Sequence, residues 1–369
     1  MKEIKAIVNA YNSIDFSTVK AAMATVARVE GSSYRRTGAR MLVQDNGTYL
    51  GGISGGCLEG DALRRAQKAI AQNKPSVITY DTTTDDGHQI GAGLGCNGII
   101  DVLFTPLVSE DQHNPVRLLS ALTETRVPRV IVSITGCHEK PDVLGKTLLF
   151  ENDEQFNHAF AIGNIATSVL SDIKNALASQ TSSTKTYDSP LGVIKVFIEL
   201  ILPVTHLVIY GSNYDIHTVV RIAKEIGWNV TVVTNTAKAD KSLFSAASRI
   251  INNKGQEKPM IDRHTAVLLM EHDYKTDFGN LRYALQTSAS YIGLLGPRKR
   301  SRKMFDALMN EGNHVSEEDL QRIYSPAGLD IGAATPEEIA LSIVAEIRSH
   351  FAGREGMSLR LRQGTIYGN

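Results

Sequence analysis

Residues 206–233 read HLVIYGSNYDIHTVVRIAKEIGWNVTVV, and they set the architecture of the C-terminal half of the chain. A short apolar run opens this stretch, apolar residues at helical spacing follow over 215–226, and a second apolar run closes it. This order predicts a strand, a helix and a second strand. Two further apolar runs, AVLLMEH and SYIGLLG, each precede a helical segment. The repeated rhythm predicts a doubly wound parallel sheet of the Rossmann type, followed by helices over 297–309, 317–323 and 336–350.

The N-terminal half shows a different pattern, in which short apolar runs alternate with glycine-rich turns. We predict a helix over 58–72 and strands in AAMATVARVE (21–30), ARMLVQ (39–44), VITYDT (77–82) and IIDVLFTP (99–106). The run GVIKVFIELILP at 192–203 is predicted to be another strand, with a domain boundary directly after it. The chain is therefore expected to be an α/β protein, with an N-terminal α+β domain over 1–203 and a Rossmann-like domain over 204–369.

Composition excludes several classes of function. The 369 residues carry 39 basic and 39 acidic side chains, and this balance argues against a non-specific nucleic-acid binder. The sequence has no run of eighteen apolar residues and no signal-peptide core at its start, so we expect neither a membrane span nor a signal peptide. Three cysteines, an odd number in a large chain, do not make a disulfide framework. We therefore expect a cytoplasmic protein with reduced thiols.

The stretch GGISGGCLE at 51–59 is the first motif with chemical content. Its four glycines, Gly52, Gly55 and Gly56 among them, let the backbone turn tightly and approach a ligand. A helix is predicted to begin directly afterwards. The N–H groups at its start favour an anion and should lower the pKa of the thiol of Cys57. The alternative interpretation is a turn with a buried cysteine at a helix cap.

A loop rich in arginine and hydroxyl groups lies just upstream, in GSSYRRTG at 31–38. We expect Arg35, Arg36 and, at the start of the next predicted strand, Arg40 to contact an anion. The physical reason is that guanidinium groups match phosphate and carboxylate through paired hydrogen bonds. Strand alternation could point Arg40 away from this loop.

A second glycine cluster, GAGLGCNG at 91–98, surrounds Cys96 and includes Gly95. The acidic stretch DTTTDD at 81–86 precedes it, but its spacing matches no calcium loop, and a solvated loop is the favoured interpretation. Since the chain contains neither C-x-x-C nor H-x-x-x-H, no metal site is predicted. Cys137, at a predicted strand end, is interpreted as structural.

The motifs occur together and in one order: GSSYRRTGARM, GGISGGCLE, and GLGCNG before an apolar strand. Together with IYGSNYDIHTVVRIAKEIGWNVTVV, YIGLLGPRKR and SPAGLDIGAATPEEIALSIVAEI in the second half, they resemble the XdhC/CoxI family. The resemblance covers most of the chain and is weakest over 106–203. It implies that the second half is the Rossmann part of that family.

The resemblance implies an accessory protein rather than an enzyme. Such a chaperone binds molybdenum cofactor (molybdopterin), protects it during sulfuration by a cysteine desulfurase, and delivers it to an apo xanthine dehydrogenase-type hydroxylase. The family cysteines implicated in holding the cofactor correspond to Cys57 and Cys96. Thiolates suit a soft molybdenum dithiolene centre, and arginines suit the phosphate of the pterin. The resemblance, with the exposed-looking apolar run at 192–203, is also consistent with a homodimer.

Two other functions are compatible with the residues. One is an NAD(P)-dependent oxidoreductase on the C-terminal domain, with His272 and Asp273 as its acid–base pair. The other is an interaction protein whose Rossmann half docks partners. The second and third glycines of a dinucleotide fingerprint are replaced by Asn213 and Ile216, and Thr234 stands where an acidic residue would bind the ribose. We therefore predict that NAD(P) does not bind tightly.

Overall fold

The computed structural model describes residues 1–83, 98–237, 239–311, 315–363 and 366. Two compact units divide the chain, one over Glu3–Pro203 and the other over Val204–Leu361. Within the described residues, none of the helices combines the length and the apolar character needed to cross a membrane.

The N-terminal unit is built from two antiparallel sheets with helices packed on them. Its helices are α1 (Lys2–Asn12), α2 (Glu59–Gln72), α3 (Pro115–Leu122), α4 (Asp153–Ala159) and α5 (Ala166–Ser179). Its strands are β1 (Ala21–Gly31), β2 (Arg40–Gln44), β3 (Tyr49–Gly51), β4 (Ser76–Asp81), β5 (Gly98–Leu107), β6 (Arg129–Cys137), β7 (Thr147–Leu149), β8 (Ser183–Ser189) and β9 (Gly192–Ile201). The five-stranded sheet has the order β3-β2-β1-β5-β4 and the four-stranded sheet the order β7-β6-β9-β8.

Side-chain alternation along β1 and β2 gives the five-stranded sheet two apolar faces. Ala22 and Met41 lie on one face and pack with Ala62 of α2. Met23 and Leu42 lie on the other face, in a core shared with α1 and α3. The small side chains that α2 turns toward the sheet let the helix lie close to it. As a result, the first turn of α2 is placed close to the end of β3.

The four-stranded sheet corrects one expectation. Strand β9 lies between β6 and β8, and its Ile194, Val196 and Ile198 are buried in a core shared with α5. The expectation that 192–203 is an exposed apolar strand is therefore wrong, and it no longer supports a homodimer. The polar run Ser183–Ser189 forms β8, an edge strand whose threonine and tyrosine residues have a high propensity for strands.

The C-terminal unit is a six-stranded parallel sheet with helices on both faces. Its strands are β10 (His206–Gly211), β11 (Asn229–Thr234), β12 (Arg249–Asn252), β13 (Thr265–Met270), β14 (Tyr291–Leu294) and β15 (Ile323–Tyr324). Its helices are α6 (Asp215–Glu225), α7 (Lys241–Ala246), α8 (Tyr274–Leu285), α9 (Arg298–Asn310), α10 (Glu317–Arg322) and α11 (Pro336–Phe351). The strand order is β12-β11-β10-β13-β14-β15, and every pair is parallel.

The winding of this sheet reverses between β10 and β13. Leu207 and Ile209 of β10 pack with α6 and α11 on one face of the sheet, whereas Val208 and Tyr210 pack with α8 on the opposite face. The predicted doubly wound Rossmann-like sheet is therefore confirmed. In such folds the loops that follow the two strands at the reversal point enclose the usual ligand crevice.

Candidate functional site

Two loops leave the same end of the five-stranded sheet. Gly31, at the end of β1, pairs with Gly98, at the start of β5, and β2 begins beside the end of β3. Loops 32–39 and 52–58 therefore start or finish at this end, where β4 also ends and β5 begins. The arginine-rich loop and the first glycine motif, which are separate in the sequence, are brought together here.

The glycine loop 52–58 is organised by one buried carboxylate, that of Glu59. One of its oxygens accepts hydrogen bonds from the backbone N–H groups of Ile53 (3.1 Å) and Ser54 (2.8 Å), and the other accepts from the Ser54 hydroxyl. The same hydroxyl accepts from the N–H of Leu58 at 3.0 Å. Burial alone would raise the pKa of Glu59, but these hydrogen bonds outweigh it and hold the pKa below its usual value.

This arrangement corrects the expectation that the start of α2 receives an external anion. The anion at this helix start is the protein's own Glu59, which carries its charge within the first turn. The negative charge of Glu59 would therefore repel a phosphate bound there, and arginine side chains are its more favourable partners. Sequence inspection alone missed Glu59, because Ser54 precedes it by five residues rather than by the three of a capping box.

The predicted glycines serve close packing within the loop. A Cβ atom at Gly52 would lie 3.0 Å from the carboxylate of Glu59, and one at Gly55 would lie 3.2 Å from the ring of Tyr34. Gly56 adopts a φ of +114°, which other residues rarely adopt. The three glycines therefore let the loop fold over Glu59 and against the neighbouring arginine-rich loop.

Cys57 lies exposed on this loop, with its sulfur 3.5 Å from the hydroxyl of Ser54. Its exposure excludes the alternative of a buried cysteine at a helix cap. Cys137, by contrast, is buried in the core of the four-stranded sheet. Cys96 and Gly95 lie outside the described residues, although Gly98, two residues after Cys96, begins β5 at the same sheet end.

Arg35 and Arg36 both lie on the loop beside the glycine motif. Arg35 forms an ion pair with Glu3 of α1, and both side chains remain partly exposed. Arg36 is half-buried. Both arginines thus lie on a loop that leaves the same sheet end as the glycine motif, and their contact with an anion stays a prediction.

Arg40 is placed differently from the expectation. Its side chain is only 5% exposed and forms an ion pair with Glu199 of β9, which is 8% exposed. It also donates a hydrogen bond to the backbone oxygen of Gly38 at 2.6 Å. This placement corrects the assignment of Arg40 to the anion contacts, because its guanidinium is enclosed between the two sheets. The partner, 159 residues away in sequence, could not have been inferred from local spacing.

The acidic stretch at 81–86 is described only at its start. Asp81 accepts hydrogen bonds from the N–H and hydroxyl of Thr83, which is a local turn. Among the residues that the structure describes, no three histidine, cysteine or acidic side chains come together as a metal site.

The ligand crevice of the Rossmann-like sheet contains an acid–base pair, but not the predicted one. His272 Nε2 lies 2.7 Å from the carboxylate of Asp215, at the start of α6. Asp273 instead caps α8 by accepting from the N–H of Thr276 at 2.8 Å. The expected His272–Asp273 pair is therefore wrong, because Asp273 is used to begin a helix.

A second carboxylate, that of Glu271, lies at the same crevice. The hydroxyl of Ser212, in the loop after β10, donates to it at 3.0 Å. Burial raises the pKa of Glu271 above its ordinary value, and neighbouring carboxylates add to this effect against the hydrogen bond from Ser212. The loops where a dinucleotide pyrophosphate would bind thus carry two acidic side chains, Asp215 and Glu271.

Comparisons with known proteins agree with this architecture. A sequence model described as the XdhC and CoxI family matches residues 17–81, and one described as the XdhC Rossmann domain matches 207–347. A Bacillus subtilis (strain 168) protein, named as a probable subunit of xanthine dehydrogenase, is 30% identical over 334 residues, which cover 89% of this chain and 92% of that protein. The chain belongs to the XdhC/CoxI family.

Two further proteins extend this family assignment. The "molybdenum cofactor insertion chaperone PaoD" of Escherichia coli (strain K12) is 23% identical over 329 residues. The aligned region covers 89% of this XdhC/CoxI chain and 83% of the Escherichia coli protein. A crystal structure described as a xanthine dehydrogenase from Bacillus halodurans superposes with a TM-score of 0.72 at 27% identity, covering 96% of this chain and 97% of the other. The likeness therefore extends over both units.

Proposed function

We propose that this XdhC/CoxI protein is an accessory protein for molybdenum hydroxylases, which binds the molybdenum cofactor and passes it to an apo xanthine dehydrogenase-type enzyme. The observation that carries the proposal is that the loop with the exposed thiol of Cys57 and the loop with Arg35 and Arg36 leave the same end of the five-stranded sheet. The names of the Bacillus subtilis and Escherichia coli relatives support the same role.

The donor set fits the chemistry of this cofactor. A thiolate at Cys57 suits molybdenum and its dithiolene sulfurs, which are soft partners. Guanidinium groups at Arg35 and Arg36 suit the phosphate of the pterin through charge-assisted hydrogen bonds. Glu59 fixes the loop in place without contacting the cargo, and its charge directs the phosphate toward the arginines.

The proposal also assigns a role to each domain and names the proteins that the cofactor-loaded protein meets. We assign cofactor binding to residues 1–203, with Cys96 as a second thiol, and treat 204–369 as a separate Rossmann-like domain. Because Cys57 is exposed, cargo held beside it stays accessible to a cysteine desulfurase that adds sulfur and to the receiving hydroxylase.

Transfer to an apo-hydroxylase tests the proposal. The protein is purified from a host that makes molybdenum cofactor and, as control, from one that does not. We expect pterin fluorescence after oxidation only in the first sample, slower alkylation of Cys57 in that sample, and activation of cofactor-free xanthine dehydrogenase by it alone. Absence of pterin from the first sample would contradict the proposal.

A further inference from the structure

The loop 32–39 carries an exposed aromatic side chain whose neighbours are anchored. Tyr34 is 69% exposed. The preceding residue, Ser33, is buried, and the following residue, Arg35, is ion-paired with Glu3 of α1. Because Ser33 is buried and Arg35 is ion-paired, the backbone that carries Tyr34 is anchored on both sides, although most of the surface of the Tyr34 ring faces solvent.

The ring of Tyr34 rests on the glycine motif. From a Cβ built at Gly55, three adjacent ring atoms of Tyr34 (Cγ, Cδ1 and Cδ2) would lie at 3.2, 3.3 and 3.6 Å. Such similar distances to adjacent atoms mean that the ring turns a face toward Gly55. Any larger residue at position 55 would displace the ring. Gly55, two residues before Cys57, therefore allows the ring to pack directly on the backbone of the glycine motif.

The C-terminal end of the same loop is held through an ion pair to the four-stranded sheet. Arg40, ion-paired with Glu199, donates to the backbone oxygen of Gly38 at 2.6 Å. Gly38 has a φ of +83°, and a Cβ there would lie 2.6 Å from the carboxylate of Glu199. The loop is therefore closed tightly at its base, and the position of Tyr34 is defined before any ligand binds.

We propose that Tyr34 is a binding residue of the cofactor site, whose ring stacks on the planar pterin of the cargo; this inference rests on the proposed function. The pyrimidine ring of a pterin is flat and conjugated, and aromatic side chains bind such rings through offset stacking. Tyr34 adds this contact to the thiol of Cys57 and the guanidinium of Arg35. The three side chains then match the three chemical parts of the cofactor: heterocycle, dithiolene and phosphate.

Binding of an oxidised, fluorescent pterin phosphate, prepared from molybdenum cofactor, tests the role of Tyr34. The full chain is titrated into the probe, and both affinity and fluorescence quenching are measured. Tyr34→Phe keeps the ring and should bind within about twofold of wild type. Tyr34→Leu should bind about 5- to 150-fold more weakly, with less quenching, because one ring stack is lost. Tyr214→Leu, a matched change at an exposed tyrosine of the other unit, should match wild type.

The outcomes separate this inference from the proposed function. If wild type binds the probe and Tyr34→Leu binds equally well, stacking by Tyr34 is wrong while cofactor binding stands. If Tyr34→Phe and Tyr34→Leu lose affinity equally, the hydroxyl rather than the ring makes the contact, and stacking is again wrong. Failure of wild type to bind the probe overturns stacking by Tyr34, whereas cofactor binding is tested separately by the pterin content of protein from the cofactor-making host. Thermal unfolding midpoints should stay unchanged in all variants, since Tyr34 is exposed.

Discussion

At the scale of single residues, Arg40 and Glu199 form a buried ion pair, and removing one partner leaves a buried charge without compensation. We expect Arg40→Ala to lower the free energy of unfolding of the N-terminal unit by about 3–5 kcal/mol. Arg35→Ala is the matched control, since its pair with Glu3 is partly exposed, and it should change that free energy by about 1 kcal/mol or less. Denaturant unfolding followed by far-UV circular dichroism measures both.

The single tryptophan provides an internal reference for this comparison. Trp228 is buried in the C-terminal unit, so its fluorescence reports that unit alone. Its transition should not move in Arg40→Ala. The double variant Arg40→Met/Glu199→Leu should recover most of the lost stability, because it removes both buried charges. A loss in Arg40→Ala no larger than that in Arg35→Ala would contradict the structural role.

At the scale of elements, the glycine loop and α2 depend on ionised Glu59. We expect Glu59→Gln to lower the unfolding free energy at pH 7 by about 1.5–3 kcal/mol, through loss of charge-assisted hydrogen bonds. The folded-state pKa of Glu59 lies below the value of about 4.3 in an unfolded chain. Its contribution is therefore complete above that value and is lost as the pH falls through the folded-state pKa.

Urea unfolding of wild type and Glu59→Gln between pH 7 and pH 3 checks this prediction. The difference between them should shrink as the pH falls and should vanish in acid. Glu124→Gln, a change at an exposed carboxylate of the same unit, should give no such difference. A constant difference at every pH would show that Glu59 acts through packing rather than charge.

The elements also show how far sequence could predict this fold and site. Strands and helices with strong periodicity, such as β1, β10, α6 and α11, are found where the pattern places them. Strand β12, only four residues long, and the polar edge strand β8 lack that periodicity. The loop motifs were visible as glycine and arginine clusters, but the contacts that organise them were not, because Glu199 lies far from Arg40 in sequence.

At the scale of the whole molecule, the Rossmann-like unit should not bind NAD or NADP tightly. Asp215 and Glu271 place carboxylates at the crevice where pyrophosphate would bind. Thr234, fully buried, offers no carboxylate to the ribose. Loss of that contact alone weakens binding by about 1.5–3 kcal/mol, or roughly ten- to a hundredfold. Titration calorimetry should give no dissociation constant in the low micromolar range, and such a value would favour the oxidoreductase alternative.

The central claim is that cargo binds to the loops of the N-terminal unit, and the pterin content per chain tests it most directly. Two charge-reversal variants are purified from the same cofactor-making host: Arg35→Glu/Arg36→Glu on the proposed site, and Arg298→Glu/Lys299→Glu on α9 of the other unit. The first should retain less than about a tenth of the wild-type pterin, since two charge-assisted contacts are lost. The second should retain all of it. Full pterin in the first variant, or its loss only in the second, would contradict the claim.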